Sequence, residues 1–307
     1  MTRPIRCLAG ALALALLAVA CGDDDSSADS GDADDTGVDD SSAEGADDEV
    51  AQRIVSLSAT ATESIFAIGA DGQLVAVDNF SYYPANDLPA IDSFSPSVEA
   101  ISEYEPDLVV LAFDPGDLVT GLDALGIESL MQPAAATLDD AYAQIEQLGA
   151  ATGHVGEAAE LVLSMQTDLD ALVAEAPDAT GTTYYHELGE ELYSLTSQTF
   201  AGEVYGLFGL ENIADPADED GSSFGYPQLV EEFIIDADPD LIFLADTICC
   251  DQDATTVAAR PGWAEMSAVA AGNVIELDDD IASRWGPRVV DFAGAIAVAL
   301  EDAAVPA

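Results

Sequence analysis

The chain has 307 residues, 49% of them hydrophobic, enough for one large or two modest domains. Its 60 acidic residues face six basic ones, all arginine, and the net charge is -54. Such a surface repels nucleic-acid phosphates and anionic headgroups, which excludes a nucleic-acid partner and charge-driven membrane binding. An anionic ligand is disfavoured unless the few arginines sit in its site.

Arg3 and Arg6 precede an apolar run from Leu8 to Ala20. Residues 1–20 therefore read as a secretory leader, with a run too short for a comfortable membrane span. Leu17-Ala18-Val19-Ala20-Cys21-Gly22 resembles a bacterial lipobox, where maturation cuts before the cysteine and acylates it. Cys21 is thus expected to anchor the mature chain to the outer face of the cytoplasmic membrane, its only membrane contact. Residues 21–50 hold no aromatic and no basic residue, and read as an acidic disordered tether extended by self-repulsion.

From Arg53 strands and helices alternate. Ile54–Leu57 is expected as a buried strand, Thr62–Gly69 as a helix ending at glycine, and Leu74–Val77 as a second strand. Phe80 to Pro84 then forms an aromatic loop at that strand's carboxyl end. The pattern continues with a strand at Leu108–Phe113, a helix near Leu118–Leu125, a strand near Ile127–Met131 and a helix at Leu138–Ala151. Gly153 to Ala176 carries an apolar stripe at Val155, Ala158, Ala159, Val162, Met165, Leu169, Leu172 and Val173, the period of one long helix. Beyond Pro177, the segment Thr182–Tyr185 starts a second series. It continues through a helix at Phe200–Leu210, a helix at Leu229–Asp236, strands at Leu241–Ala245 and Val274–Leu277, and a final helix reaching Leu300. Leu192–Leu195 reads as a hairpin partner or a loop.

The two series share a unit. Glu99 opens one short helix pattern and Glu232 another, and eight residues on stand Asp107 and Asp240, each after a proline and before an aliphatic run. This internal similarity predicts two related lobes. The fold class is α/β: two doubly wound α/β lobes joined by one long rigid helix, with a ligand cleft between them. The expected limits are 51–152 for the N-terminal lobe, 153–177 for the linking helix and 178–307 for the C-terminal lobe.

Loops at the carboxyl ends of strands carry the candidate ligand residues, because open α/β sheets bind there. They offer Phe80, Tyr82, Tyr83 and Phe94 in the first lobe, and Tyr184, Tyr185, His186, Tyr193, Phe224 and Tyr226 in the second. Tyr184 and Tyr185 alternate on a strand, so one of them is expected to point inward. For each aromatic, core packing competes with ligand contact. Arg284 is the strongest charged candidate, against the plainer reading of an ion pair. Cys249 and Cys250 are adjacent on an expected cleft-side loop. An extracytoplasmic location permits a vicinal disulfide between them, with two free thiols or a soft-metal site as alternatives.

With these residues in view the chain resembles the solute-binding lipoproteins of ABC importers for vitamin B12 and ferric siderophores or haem; for haem, His186 would be the iron ligand, against the plainer reading of a structural histidine. The resemblance rests on Arg53-Ile54-Val55-Ser56-Leu57 with Thr62-Glu63, on Tyr83-Pro84, and on Glu105-Pro106-Asp107-Leu108-Val109. In the second lobe it rests on Asp238-Pro239-Asp240-Leu241-Ile242, Arg260-Pro261-Gly262-Trp263, and Ser283-Arg284 with Gly286-Pro287-Arg288. It spans about residues 53 to 300. It implies a monomer that captures a small-molecule metal chelate or corrinoid and delivers it to an ABC permease with its ATPase. It places Tyr83 and Tyr226, then Phe94, near the ligand, and Arg284 against an anionic chelate. Glu99 and Glu232 match acidic residues that dock such proteins on permease arginines; otherwise they are ordinary helix-start carboxylates. Trp263 resembles a structural tryptophan of the family, whereas Trp285 replaces a smaller residue.

No enzyme activity, catalytic residue, cofactor or bound metal is expected, since the chain has no P-loop, nucleophile elbow, dinucleotide fingerprint or metal triad. Two other classes compete. One is a surface sensor or adhesion lipoprotein that kept the fold. The other is an enzyme using Glu187, Glu190 and Glu191 with Tyr185 and His186.

Overall fold

The computed structural model describes residues 50–303. The leader, Cys21 and the tether up to residue 49 lie outside the described residues.

The first lobe runs β1 (Ile54–Leu57), α1 (Ala59–Ala67), β2 (Leu74–Asp78), β3 (Ala90–Ile91), α2 (Val98–Ser102), β4 (Leu108–Leu111), α3 (Leu118–Asp123), β5 (Glu128–Met131) and α4 (Leu138–Thr152). Helix α5 (Val155–Glu175) follows. The second lobe runs β6 (Thr183–Glu187), α6 (Phe200–Leu207), β7 (Glu211–Asn212), α7 (Glu231–Ala237), β8 (Leu241–Leu244), α8 (Thr247–Cys250), α9 (Ala254–Ala258), α10 (Ser267–Ala271), β9 (Val274–Glu276), α11 (Asp279–Ser283) and α12 (Val289–Asp302). Both sheets are parallel, in the orders β3-β2-β1-β4-β5 and β7-β6-β8-β9.

The central strands β1, β4 and β8 are buried at every position, which explains their unbroken aliphatic runs: helices cover both faces. The sequence repeat has a physical role. Asp107 accepts the backbone N–H groups of Gln52 and Arg53 at 2.9 and 3.0 Å, just before β1. Asp240 accepts the N–H and hydroxyl of Thr183, both at 2.9 Å, at the start of β6. In each lobe the Pro-Asp pair therefore pins the central strand to its neighbour. The strands β1, β2, β4 and β5 correspond to β6, β7, β8 and β9.

Helix α4 opens with a capping box between Thr137 and Asp140 and closes at Gly153, whose φ of 76° suits a glycine. Helix α5 then packs along α4 and α12. Its buried stripe of Ala158, Val162, Met165 and Leu169 shares one core with Leu148, Val204, Phe292 and Ile296. That core draws on both lobes, so α5 joins them rigidly.

Some boundaries shift. Ser58 caps α1 and starts it ahead of the expected Thr62. Cys249 and Cys250 end a short helix rather than lying on a loop. Leu192–Leu195 makes only a single antiparallel bridge, Tyr193 with Gln228. The two-residue edge strands β3 and β7 were not expected.

Candidate functional site

The cleft lies where β1, β2, β3 and β4 end. Leu57 to Thr60, Asp78, Phe80, Ser93, Phe94, Ala112 and Phe113 line a cavity of about 280 Å³ with Arg284 and Trp285 from the second lobe. Phe94 is its centre. The Phe80 ring meets it edge-on at 5.5 Å between centroids, and Phe113 lies tilted at 6.1 Å. All three rings are exposed, Phe94 at 66%. Packed rings on an exposed apolar face make a platform for a flat ligand. Trp285 donates its indole N–H to Gln144 at 3.0 Å, which fixes it across the lobe junction.

Beneath the platform the lobes are tied by charge. Glu63, on α1 and 3% exposed, accepts Arg284 at 2.5 Å and Arg288 at 2.6 and 2.8 Å. Arg284 also donates to Asp280 at 2.8 Å and to the carbonyl of Phe80 at 3.1 Å. The Tyr82 hydroxyl donates to Asp280, and Arg288 stands 4.1 Å from the Tyr83 ring centroid. Arg284 thus lines the cleft and fills the ion-pair reading at once. Asp78 is buried on the cleft floor and held by the Ser81 hydroxyl at 2.6 Å. Desolvation outweighs those hydrogen bonds and raises its carboxyl above the usual range.

The other expected site residues are scattered. Tyr226 is half exposed on the segment bridging to Tyr193. Tyr185 is a correction: it is fully buried, its ring 6.1 Å from Trp263, and faces the second core instead of a ligand. Tyr184 is equally buried on the opposite face, stacked on Tyr205. A doubly covered sheet buries both sides of a strand, so alternation brings neither tyrosine to the cleft. His186 is enclosed, its Nδ1 2.8 Å from the Tyr205 hydroxyl, and burial pushes its pKa down to about 3. It is closed to an iron in the cleft. Glu187 is clamped by Arg260 through two 2.6 Å contacts. The acid/base cluster of Glu187, Glu190, Glu191, Tyr185 and His186 therefore does not converge on a cavity.

Glu99 and Glu232 are exposed in the first turns of α2 and α7. Both helices begin on the rim where the strands end. The backbone amide of Glu99 and the Ser97 hydroxyl hold its carboxyl below the usual range. The sulfurs of Cys249 and Cys250 are in contact in α8. Asp279 fixes that helix by accepting the N–H groups of Ile248 and Cys249 at 3.1 and 2.8 Å.

Phe113, Glu63, Asp280 and Arg288 were missed. Phe113 ends the run Leu-Val-Val-Leu-Ala-Phe and reads as strand interior, although β4 stops at Leu111. A strand end pointing at a cleft was the available signal. Glu63 and Arg288 stand in the motifs that carry the resemblance, but their pairing had no signal, because the partners lie more than two hundred residues apart.

Asp246 carries a testable electrostatic cost. It is buried at the end of β8, and desolvation followed by repulsion from Glu187 raises its pKa to about 7. Its folded pKa lies above its unfolded one, so the folded state holds the extra proton. Stability from this group therefore falls as pH rises between about 4 and about 7, the reverse of a salt-bridged carboxylate. Asp246→Asn is expected to raise the melting temperature near pH ~8 and leave it unchanged near pH ~4, as read by circular dichroism. Equal shifts at both pH values would contradict this.

Residues 54–281 match the family described as periplasmic binding protein. A cobalamin-binding protein of Halobacterium salinarum is 30% identical over 253 residues, covering 78% of this chain and 67% of the relative. An uncharacterised ABC transporter substrate-binding lipoprotein of Bacillus subtilis is 29% identical over 252 residues, covering 78% and 77%. Among solved structures, the periplasmic vitamin B12 binding protein of Vibrio cholerae superimposes with a TM-score of 0.69 at 27% identity, covering 83% of this chain and 99% of that one. The periplasmic haem-binding protein of the same organism gives 0.72 at 26%, covering 80% and 98%.

Proposed function

Because this chain belongs to the periplasmic binding protein family and is a substrate-binding protein of ABC import rather than an enzyme, we propose that the solute it captures is a corrinoid. The observation that carries this is the pairing of an aromatic platform with a cleft that has no uncommitted cation. All four arginines among the described residues are engaged. Arg53 donates to the carbonyls of Tyr104 and Glu105, Arg260 to Glu187, and Arg284 and Arg288 to Glu63. Haem propionates and anionic siderophores need free positive charge. A corrin ring carries amides and a cobalt cation, which suit apolar rings beside carboxylates. The cobalamin-binding relative and the vitamin B12 binding structure support the same choice.

Residues 1–20 are removed, Cys21 anchors the protein by its lipid, and 21–50 tethers the lobes of 51–152 and 178–307 around the linking helix of 153–177. Glu99 and Glu232 dock on the permease; their place on one rim supports this. Cys249 and Cys250 form a vicinal disulfide, which their contact supports.

The test is a fluorescence titration of the full-length protein with cyanocobalamin, cobinamide, haemin and anionic ferric siderophores. Trp285 lines the cleft and reports binding. Saturable quenching by the corrinoids, weakened or absent for the anionic ligands and reduced in Trp285→Phe, is the expected result. Tighter binding of haemin or an anionic siderophore would overturn the ligand assignment.

A further inference from the structure

Asp78 ends β2 on the floor of the cleft and heads a line of buried oxygens. Its Oδ1 lies 2.6 Å from the Ser81 hydroxyl, which lies 2.9 Å from that of Thr62. Thr62 lies 2.9 Å from the Ser56 hydroxyl, and Ser56 lies 3.1 Å from the carbonyl of Ser58. Ser56, Thr62 and Ser81 are all buried, so the line must be satisfied from within.

Four contacts need four protons, and the three hydroxyls supply three. An ionised Asp78 adds none, and one pair of oxygens then meets with no hydrogen between them. A protonated Asp78 completes the count. Oδ1 donates to Ser81, Ser81 to Thr62, Thr62 to Ser56, and Ser56 to the Ser58 carbonyl. The Phe80 N–H, 3.2 Å from Oδ1, meets a lone pair of the same oxygen.

Charge gives the same answer. Arg284 bears on Asp78 from the second lobe and favours the ionised form. That guanidinium is already matched, since Arg284 and Arg288 face Glu63 and Asp280, two cations against two carboxylates. A third carboxylate would put an unmatched charge in a junction withdrawn from water. Burial raises the Asp78 carboxyl and outweighs the pull of Ser81, Phe80 and Arg284. Oδ2 accepts no hydrogen bond among the described residues, and Asp78 lines the cavity. In the protonated acid Oδ2 is an uncharged carbonyl oxygen, an acceptor left to the ligand.

We propose that Asp78 is a specificity-determining residue held as a neutral acid, whose Oδ2 takes a hydrogen bond from an amide N–H of the ligand. This deepens the corrinoid reading and rests on it. The side-chain amides of a corrin offer N–H donors, whereas propionates and other carboxylates offer only acceptors. A neutral acceptor binds the first without burying a charge and leaves the second unpaired.

The experiment compares wild type, Asp78→Asn and Asp78→Leu as full-length proteins. Melting temperatures are read near pH ~4 and pH ~8. Kd is measured for cobinamide and for a corrin whose amides are replaced by methyl esters, which lack the N–H. Asparagine offers a donor to Ser81 and an acceptor to the ligand, as the neutral acid does. It is expected to keep the cobinamide Kd within about threefold, and to melt with wild type near pH ~4 and with or above it near pH ~8. Asparagine that melts below wild type only near pH ~8 would mark an ionised Asp78 and overturn the neutral acid. The ester is expected to bind wild type about tenfold more weakly than cobinamide, and Asp78→Leu with a much smaller difference. An equal difference in both proteins would overturn the contact and leave Asp78 a loop residue. Wild type that binds neither cobinamide nor cyanocobalamin would overturn the ligand reading and the contact with it. The melting comparison needs no ligand, so the two failures are distinguishable.

Discussion

Replacing Glu63 by alanine is expected to lower the unfolding free energy by about 3–5 kcal/mol, because it strands the buried guanidinium of Arg288 and takes one of the two carboxylate partners from that of Arg284. Glu63 is the common acceptor of Arg284 and Arg288, and its side chain and theirs are nearly or wholly withdrawn from water. Coulomb attraction here is weakly screened, and desolvation has already been incurred on folding. With the carboxylate gone, Arg284 keeps Asp280, but Arg288 loses every side-chain acceptor described for it. For a folded part of this size the loss corresponds to a fall of roughly 10 °C in melting temperature, readable by circular dichroism. Arg288→Met alone should cost less, since Glu63 still holds Arg284. Glu63→Leu combined with Arg284→Met and Arg288→Leu should recover most of the loss, as apolar replacement of a whole buried ion cluster often does. A shift under about 2 °C in Glu63→Ala would show that the charges are more solvated than their burial indicates.

Reversing both rim carboxylates, Glu99→Lys with Glu232→Lys, is expected to cut uptake of ligand into cells by more than about a hundredfold while the Kd for ligand stays within about twofold. Both residues are exposed and neither touches the cleft. Their loss therefore leaves the ligand surface intact. Against a permease that presents arginine, two attractions become two repulsions, each costing several kcal/mol where charges are juxtaposed. Either reversal alone should give an intermediate defect, since one lobe still docks. Uptake equal to wild type in the double variant would remove both residues from docking. Reduced ligand affinity would show instead that the rim and the cleft are coupled.

The fold was legible because its signals are local and repeated. The aliphatic runs at Leu108 and Leu241, each pinned by a preceding aspartate, and the stripe on α5 all follow from backbone periodicity and burial. The edge strands β3 and β7 escaped because two residues carry no period. The site was legible in outline only. Phe80, Phe94 and Arg284 could be placed by their position after a strand or by charge, and the structure brings them to one cavity. Tyr185 was misread because alternation distinguishes the faces of a strand, whereas this cleft lies at the strand ends. Glu63 could be quoted as part of a motif but not given a partner, since nothing near it in the chain announces Arg284 and Arg288. Long-range charge pairing has no local signature, yet here it joins the lobes and removes free cations from the cleft.

A corrinoid is expected to lie between the lobes on the platform of Phe80, Phe94 and Phe113. Anomalous scattering at the cobalt edge, from crystals grown with cobinamide, tests it most directly. A single strong cobalt peak between Phe94 and the Tyr226 segment, with the ring resting on the platform, is the result predicted. A peak outside the cleft, or a cleft left empty at saturating cobinamide, would contradict it.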